Sequence, residues 1–513
     1  MSNSEYTAVA SKYKEWSELE LQFKKNACTY ANELIGQCKE QELTDEIRLP
    51  DNLSDIGRVL GAWGQVLLRG KEWRPDRVAV SGGVMAWVLY MPENDTQPQM
   101  VEAWLPFHEQ WPIPDTQHDG SIIACGNLSF CDARSVSARK LILRVGLCLD
   151  VHVYAQANDS LYEADALPEH VQMQLISRTV MLPAEAGEKS FSLEEQVPYP
   201  ANSPKLQKLL RYNLIPQIME RRVSGSRVIF RGVAIVHVVG LDGDGQLHSF
   251  DTELPFSQYA QLDGQYEEGA EACVWLAVTN LELEHGQEQM LSLKAGLSGQ
   301  YVIKQQTVLE MVEDAYSPCY ELELHRQSLE LPAVTKAENM LITARRPSLC
   351  DGVRVSDAEF APGLPELRTT DEGTELLLTG RFTILYYDRQ QQLQSMTVKW
   401  EQEQEAPCEK GMQLRCFAVP GGKAEASLTE VGGQLLLDFS CICTEPMEMV
   451  ASITVGEEKT AEENRPAIVV CRAGDEGLWK LAKKAGSTVA AIRAMNELSD
   501  EPEPNQMLLI PII

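Results

Sequence analysis

The segment IFRGVAIVHVVGL, residues 229–241, has an apolar strand pattern with a glycine, Gly232, near its start. Two other stretches share this pattern: AVSGGVMAWVLYM at residues 79–91, which contains Gly82, and LLLTGRFTILYYD at residues 376–388, which contains Gly380. The three glycines lie 150 and 148 residues apart. Self-similarity at a fixed period indicates a repeated structural unit, so we infer three copies of one domain.

Other landmarks keep the same spacing. Pro50 and Pro200 each lie 32 residues before their glycine, and the dipeptides Pro106-Phe107 and Pro255-Phe256 follow it by 24 and 23 residues. In the third copy the acidic run VKWEQEQEAPCEK, residues 398–410, replaces the Pro-Phe dipeptide. We interpret this run as a solvated loop, with a site for a basic partner as the alternative.

Each copy is predicted to consist of β-strands. Between Leu141 and Val153 every second residue is Leu or Val, and polar residues occur only at the intervening positions. Alternation with period two places one row of side chains on a core and the other toward water. This pattern favours antiparallel sandwiches, and the glycine inside each first strand marks a bulge or a close approach of backbones. The first 40 residues fit a helix or a strand.

The composition is that of a globular protein but is strongly acidic. Of 513 residues, 44% are hydrophobic and 23% charged, and the net charge is −30. Nucleic acids and anionic membranes are bound through basic residues, so neither is an expected partner. The N-terminus has no apolar signal segment, and the longest apolar stretch, residues 228–241, is too short to span a bilayer. We therefore expect no membrane insertion and a cytoplasmic location.

Motifs for catalysis and metal binding are missing from the sequence. The patterns GxSxG, HExxH and GxxxxGK[ST] do not occur. The 13 cysteines form no CxxC pair, and Cys441 and Cys443 lack the second pair that a structural zinc site requires. We predict buried reduced thiols and a satisfied core role for His237. The chain is therefore predicted to be no enzyme, with no catalytic residue, metal site or cofactor.

The composition changes after Val455. The polar segment GEEKTAEENRP, residues 456–466, is predicted to be a linker, and residues 467–513 predict a strand, two helices and a closing strand. The first helix has one apolar face, formed by Leu478, Leu481, Ala482 and Ala485. Thr488 is the predicted N-cap of the second helix, and Asn496 suits its end because Asn tolerates the left-handed conformation.

Residues 467–513 resemble a LysM domain. The resemblance rests on Gly474, Asp475, Leu478, Trp479, the run LAKKAGSTVAAI at residues 481–492, Asn496 and the closing strand. Two residues stand between the Gly-Asp and Leu-Trp pairs, where the family has one. LysM domains bind N-acetylglucosamine-containing glycans between the first strand–helix loop and the second helix–strand loop. The resemblance thus implies partner- or glycan-binding residues in these loops: Gly474, Asp475, Glu476, Gly477, Trp479, Asn496, Glu497 and Leu498.

Several of these residues also have a purely structural interpretation. Trp479 either packs on the helix face or presents an aromatic ring at the groove for a sugar or a protein. Asn496 either ends the helix or contacts a ligand. Asp475 and Glu476 either stabilise the positive end of the first helix or contact a basic partner.

The three repeats resemble the SPOCS domain of sporulation proteins. The resemblance rests on PDNLSDIGRVLGAW (residues 50–63), VAVSGGVMAWVLYM (78–91) and LPF (105–107), which recur in part at 200–256. SPOCS repeats followed by one LysM domain are typical of SipL-like spore-coat morphogenetic proteins of clostridial endospore formers. The resemblance implies a non-enzymatic scaffold in the mother-cell cytoplasm, at the forespore surface.

This scaffold would dock through LysM on the coat-basement ATPase, stage IV sporulation protein A, and would recruit other spore coat proteins. The alternative is a protein that binds peptidoglycan or another N-acetylglucosamine-containing glycan through LysM. The predicted fold is mainly β, with three tandem antiparallel β-sandwich-like SPOCS repeats and a small βααβ LysM domain. Its predicted parts are repeat 1 with an N-terminal extension (1–165), repeat 2 (166–315), a divergent repeat 3 (316–455), the linker (456–466) and LysM (467–513).

Overall fold

The computed structural model describes residues 19–513 except for 115–119, 164–169, 201–202, 287–289, 349, 370–373, 409–411, 445, 461–465, 474–476 and 504. Within the described residues the chain consists mainly of antiparallel strands, with two short helices near the C-terminus. The predicted fold class is therefore confirmed. The boundaries of the predicted domains stay a prediction.

The first part of the chain forms a β-sandwich. Its strands are β1 (Leu19–Gln22), β2 (Lys24–Arg48), β3 (Ile56–Arg74), β4 (Arg77–Pro92), β5 (Gln99–Pro112), β6 (Ser121–Ser137) and β7 (Lys140–Glu163). The sheets β2-β7-β6 and β3-β4-β5 share one core and form the first sandwich. The predicted apolar row of β7, from Leu141 to Val153, is at most 1% exposed at every position. Strands, not helices, occupy residues 19–22 and 24–40.

The second sandwich is built in the same order. Its strands are β8 (Gln172–Pro198), β9 (Lys208–Leu241), β10 (Leu247–Tyr266), β11 (Glu271–His285) and β12 (Met290–Tyr316). The sheets β11-β12-β8 and β10-β9 enclose its core. His237 lies on β9, where its Nδ1 is 2.7 Å from Asp251 and its Nε2 is 2.9 Å from Asp357. His237 is satisfied as predicted, but it lies between the second and third sandwiches and not in the core of the second.

The third part of the chain, which contains the third sandwich, has more strands. They are β13 (Tyr320–Glu330), β14 (Ala333–Pro347), β15 (Gly352–Pro362), β16 (Glu366–Thr369), β17 (Thr374–Asp388), β18 (Leu393–Glu405), β19 (Gln413–Pro420), β20 (Glu425–Ala426), β21 (Glu430–Cys443) and β22 (Pro446–Glu458). One sheet is β14-β21-β19 with β20 on β21, and the other is β15-β17-β16 with β18 on β17. A further sheet, β1-β22-β13, packs on the ends of the first two sandwiches.

Two sequence predictions fail in the third sandwich. Glu401, Glu403 and Glu405 are exposed, but they lie on strand β18 and not in a loop. They alternate with side chains of the other face, so the acidic run is the solvated row of a strand.

Cys408 and Cys441 form a disulfide bond, whereas we expected thiols. Folding brings together two cysteines that are 33 residues apart, which their sequence spacing did not indicate.

The glycines that mark the repeats lie where two backbones and a ring converge. A Cβ atom at Gly82 would overlap the carbonyl oxygen of Leu67 and come within 2.8 Å of the Phe107 ring. At Gly232 it would overlap the carbonyl oxygen of Gln217 and come within 2.7 Å of Phe256. The phenylalanines are those of the repeated Pro-Phe dipeptide. The glycine and the dipeptide therefore recur together because they contact each other, which confirms the predicted close approach.

The three sandwiches contact one another in a closed ring. Gln300 of the second donates to the backbone oxygen of Ala124 in the first, at 2.7 Å. Asn127 of the first donates to the backbone oxygen of Ala418 in the third, at 3.2 Å. Arg211 of the second forms an ion pair of 2.6 Å with Asp357 of the third. Polar side chains thus join each sandwich to both others.

The C-terminal module consists of β23 (Ile468–Arg472), α1 (Gly477–Ala485), α2 (Val489–Asn496) and β24 (Met507–Pro511). Of the predicted linker, residues 456–458 continue strand β22, and residues 461–465 lie outside the described residues. The two helices have nine and eight residues, so neither described helix is long enough to cross a membrane.

Candidate interaction surface of the C-terminal domain

The C-terminal module forms its own small core. Strands β23 and β24 pair antiparallel, and both helices pack on one face of this two-stranded sheet. The most buried side chains are Leu478, Ala482, Ile492, Leu508 and Ile510. Thr488 caps α2, because its Oγ1 accepts a hydrogen bond of 3.1 Å from the backbone N–H of Ala491. The predicted apolar helix face and N-cap are confirmed.

The end of α2 differs in detail from the prediction. The left-handed residue is Glu497, with φ of 53°, and not Asn496. The side chain of Asn496 instead joins the helix to the sheet. Its Nδ2 donates to the backbone oxygens of Ile492 and Leu509, and its Oδ1 accepts from the N–H of Leu509 at 2.7 Å. Asn496 is therefore required by the fold, and its polar atoms are occupied.

Trp479 faces the second sandwich. Its indole N–H donates to Asp314 at 3.0 Å, and its ring packs edge-on against Tyr316, with centroids 4.8 Å apart. Lys483 contributes an ion pair of 2.7 Å to the same carboxylate. Burial opposes the charge on Asp314, but hydrogen bonds from Lys483 and Trp479 outweigh it and lower the pKa of Asp314. Trp479 thus helps to hold the C-terminal module against the end of β12.

The predicted loop residues are only partly described. Gly474, Asp475 and Glu476 lie outside the described residues. Gly477 begins α1 with a positive φ of 75°. In the other loop, Glu497 is exposed, while Leu498 packs against the core of the module.

Sequence reasoning missed Glu501, which connects the start of α1 to α2. Its Oε2 accepts a hydrogen bond of 3.1 Å from the backbone N–H of Leu478, at the start of α1. Its Oε1 lies 3.3 Å from the guanidinium of Arg493 on α2. A carboxylate at a helix N-terminus satisfies a free N–H and the helix dipole. A charged side chain therefore lies at the start of α1, next to the predicted loop residue Gly477.

The outer face of the two-stranded sheet is exposed and mostly apolar, with Arg472, which pairs with Met507, as a charged residue at one end. The four side chains of this apolar sheet face are 41–57% exposed: Ile468, Val470, Met507 and Leu509. Val470 pairs with Leu509 across the sheet, whereas their neighbours Leu508 and Ile510 point to the core. Among the described residues, 17 large apolar side chains are exposed, and seven of them belong to residues 468–513. Exposed apolar side chains are therefore concentrated on this module.

A signal for this face was present in the sequence. The closing run MLLIP and the run IVV of the first strand are apolar at successive positions. Strands of this kind usually lie between two layers of structure. Here the helices cover only one face of the sheet. The other face therefore lacks the covering layer that such apolar strands usually have.

Comparisons with known protein families identify two domains. The family model described as SipL, SPOCS domain matches residues 205–285, which contain β9, β10 and β11 of the second sandwich. The LysM domain model matches residues 472–511. No curated protein and no solved structure matches the chain. LysM domains generally bind glycans such as peptidoglycan. The predicted combination of SPOCS and LysM domains is confirmed, while for the first and third sandwiches the SPOCS assignment stays a prediction.

Proposed function

We propose that this chain, which combines a SPOCS domain with a C-terminal LysM domain as SipL-like sporulation proteins do, is a non-enzymatic scaffold of spore-coat assembly. In this proposal LysM docks on the coat-basement ATPase, stage IV sporulation protein A. The sandwiches present sites for other coat proteins. The scaffold acts in the mother-cell cytoplasm, at the forespore surface.

The observation that carries the docking proposal is the apolar sheet face. Contiguous exposed apolar side chains on a soluble domain mark a protein interaction site, and the buried centre of a protein interface is apolar. Val470 and Leu509 form a cross-strand pair at its centre. The face lies opposite the helices and uses none of the loop residues assigned to glycan binding.

The distribution of charge along the chain also favours the C-terminal module as the docking site. Residues 467–513 contain five basic and six acidic residues, whereas the rest of the chain contains 40 basic and 69 acidic ones. A near-neutral module avoids the repulsion that the acidic sandwiches impose on an acidic partner. LysM is therefore the part of the chain best suited to direct apolar contact with another protein.

The second candidate, glycan binding, rests on the LysM fold itself. Its proposed contacts are the loop residues Gly474–Gly477 and Asn496–Leu498, with Trp479 beside them. Three features count against it: the polar atoms of Asn496 are occupied by the fold, Glu501 occupies the backbone N–H at the start of α1, and Trp479 bonds to Asp314.

Titration of the full chain distinguishes the candidates. The chain is titrated by calorimetry with the purified ATPase and, separately, with chitin oligomers. We expect saturable binding to the ATPase and none to the sugar. Saturable micromolar binding of the sugar, with no binding of the ATPase, would reject docking and favour the glycan-binding candidate. In sporulating cells, a fluorescent fusion should ring the forespore, and the ring should disappear in cells lacking the ATPase.

A further inference from the structure

A cavity of about 260 Å³ lies where the three sandwiches meet. All three contribute to its wall: β2 and β7 of the first, β11 and β12 of the second, and β19 and β21 of the third. Leu367 and Gln413, which are exposed, lie at its rim and connect it to solvent. We call it the junction cavity. It is separate from the C-terminal module.

Most charged side chains of the junction cavity are paired with one another. Glu33 accepts from both Arg415 and His152, and the other ring nitrogen of His152 lies 3.0 Å from Asp150. Asp438 accepts from the indole N–H of Trp275. The contacts of Arg415 with Glu33 and of Trp275 with Asp438 cross from one sandwich to another, and together these contacts satisfy the carboxylates.

Lys304 is the exception. It lies on β12, is 5% exposed and lines the cavity. Within the described residues, its ammonium group has no hydrogen bond and no ion pair. Asp438 is close enough to interact electrostatically, but burial raises the pKa of Asp438 and so weakens it as a counter-ion. The Nε of Arg415 is fully buried and has no hydrogen-bond partner among the described residues. A buried hydrogen-bond donor without a partner is costly.

We propose that the junction cavity binds a small anion, which carries a phosphate or a carboxylate group and accepts hydrogen bonds from Lys304 and Arg415. Such an anion supplies the missing acceptor for both donors. The cavity volume is below the roughly 300 Å³ at which pockets for drug-sized ligands begin, so the ligand is small. Since Lys304 belongs to the second sandwich and Arg415 to the third, the bound anion links them.

The test is calorimetric titration of the full chain in a chloride buffer of constant ionic strength. Inorganic phosphate and malonate are the two probes, and they distinguish a phosphate ligand from a carboxylate ligand. We expect one of them to bind once per chain. Lys304→Met should weaken binding at least tenfold. Lys294→Met is the matched control, because Lys294 lies on the same strand but is exposed, and it should bind as the wild type does.

Two results would overturn the proposal: no binding of either anion by the wild-type chain, or undiminished binding by Lys304→Met. Circular dichroism shows whether that variant folds. If it does not, Lys304→Gln provides the same comparison with a polar side chain of similar length.

Discussion

Arg211, His237 and Asp357 form a buried charged cluster between the second and third sandwiches. Arg211 is 3% exposed, and Asp357 bonds to both other residues, at 2.6 and 2.9 Å. The Arg211 guanidinium also stacks on Trp63 of the first sandwich, 4.6 Å from the ring centroid. Burial opposes charge on His237, but the charge of Asp357 and hydrogen bonds to Asp251 and Asp357 raise the pKa of His237 to about 9.

This pKa shift predicts a loss of stability at alkaline pH. The unfolded chain has a histidine pKa near 6.5, so protonated His237 stabilises the fold fully below about pH 6.5, and this contribution disappears as the pH rises through 9. Between pH 6.5 and 9.5, the free energy of unfolding measured in urea should fall by roughly 3 kcal/mol less in His237→Gln than in the wild type. Identical profiles for His237→Gln and the wild type would contradict this assignment.

The repeated glycines allow a second prediction at the residue scale. Gly232→Ala places a Cβ atom against the backbone of Gln217, which cannot move freely. We expect the free energy of unfolding to fall by about 1–3 kcal/mol. Gly432→Ala is the control, because its Cβ would meet no atom closer than 3.7 Å, and its effect should be within about 1 kcal/mol. Thermal or urea unfolding measures both, and equal effects would refute the steric explanation.

At the scale of elements, Asn496 connects α2 to β24. Replacing it with alanine removes three hydrogen bonds and leaves the backbone groups of Leu509 without those partners. We expect Asn496→Ala to destabilise the C-terminal module by about 2 kcal/mol. Hydrogen exchange of peptides covering residues 507–511 should become faster, whereas Ser499→Ala, which loses one exposed contact, should leave it unchanged. Unchanged exchange in Asn496→Ala would show that the amide does not hold the strand.

Much of the element structure was predictable because it depends on local patterns. The alternating row from Leu141 to Val153 determines which side of β7 is buried, and Thr488 caps a helix through neighbouring atoms. The Cys408–Cys441 bond and the contact of Trp479 with Asp314 were not predictable, because they depend on how distant strands pack. The apolar sheet face had a sequence signal in MLLIP, but its exposure follows only from the position of the helices.

At the scale of the whole molecule, Asp314 attaches the C-terminal module to the second sandwich. Asp314→Asn weakens the ion pair with Lys483, so the module should separate more often from β12. We expect faster cleavage between residues 459 and 466 in limited proteolysis, with release of a stable fragment that ends near residue 460. Asp244→Asn, at an exposed turn position, is the control. Earlier cleavage within residues 138–154 or 288–303 would contradict this arrangement.

The central claim is that LysM docks through its apolar sheet face, and calorimetry of two valine variants with the purified coat-basement ATPase tests it most directly. Val470 is 56% exposed on this face, and Val308 is 60% exposed on β12. Both accept aspartate without entering a core. We expect Val470→Asp to weaken binding at least tenfold, since a charge would be buried at an apolar interface, and Val308→Asp to bind as the wild type does. Equal affinity of the two folded variants for the ATPase would contradict the claim.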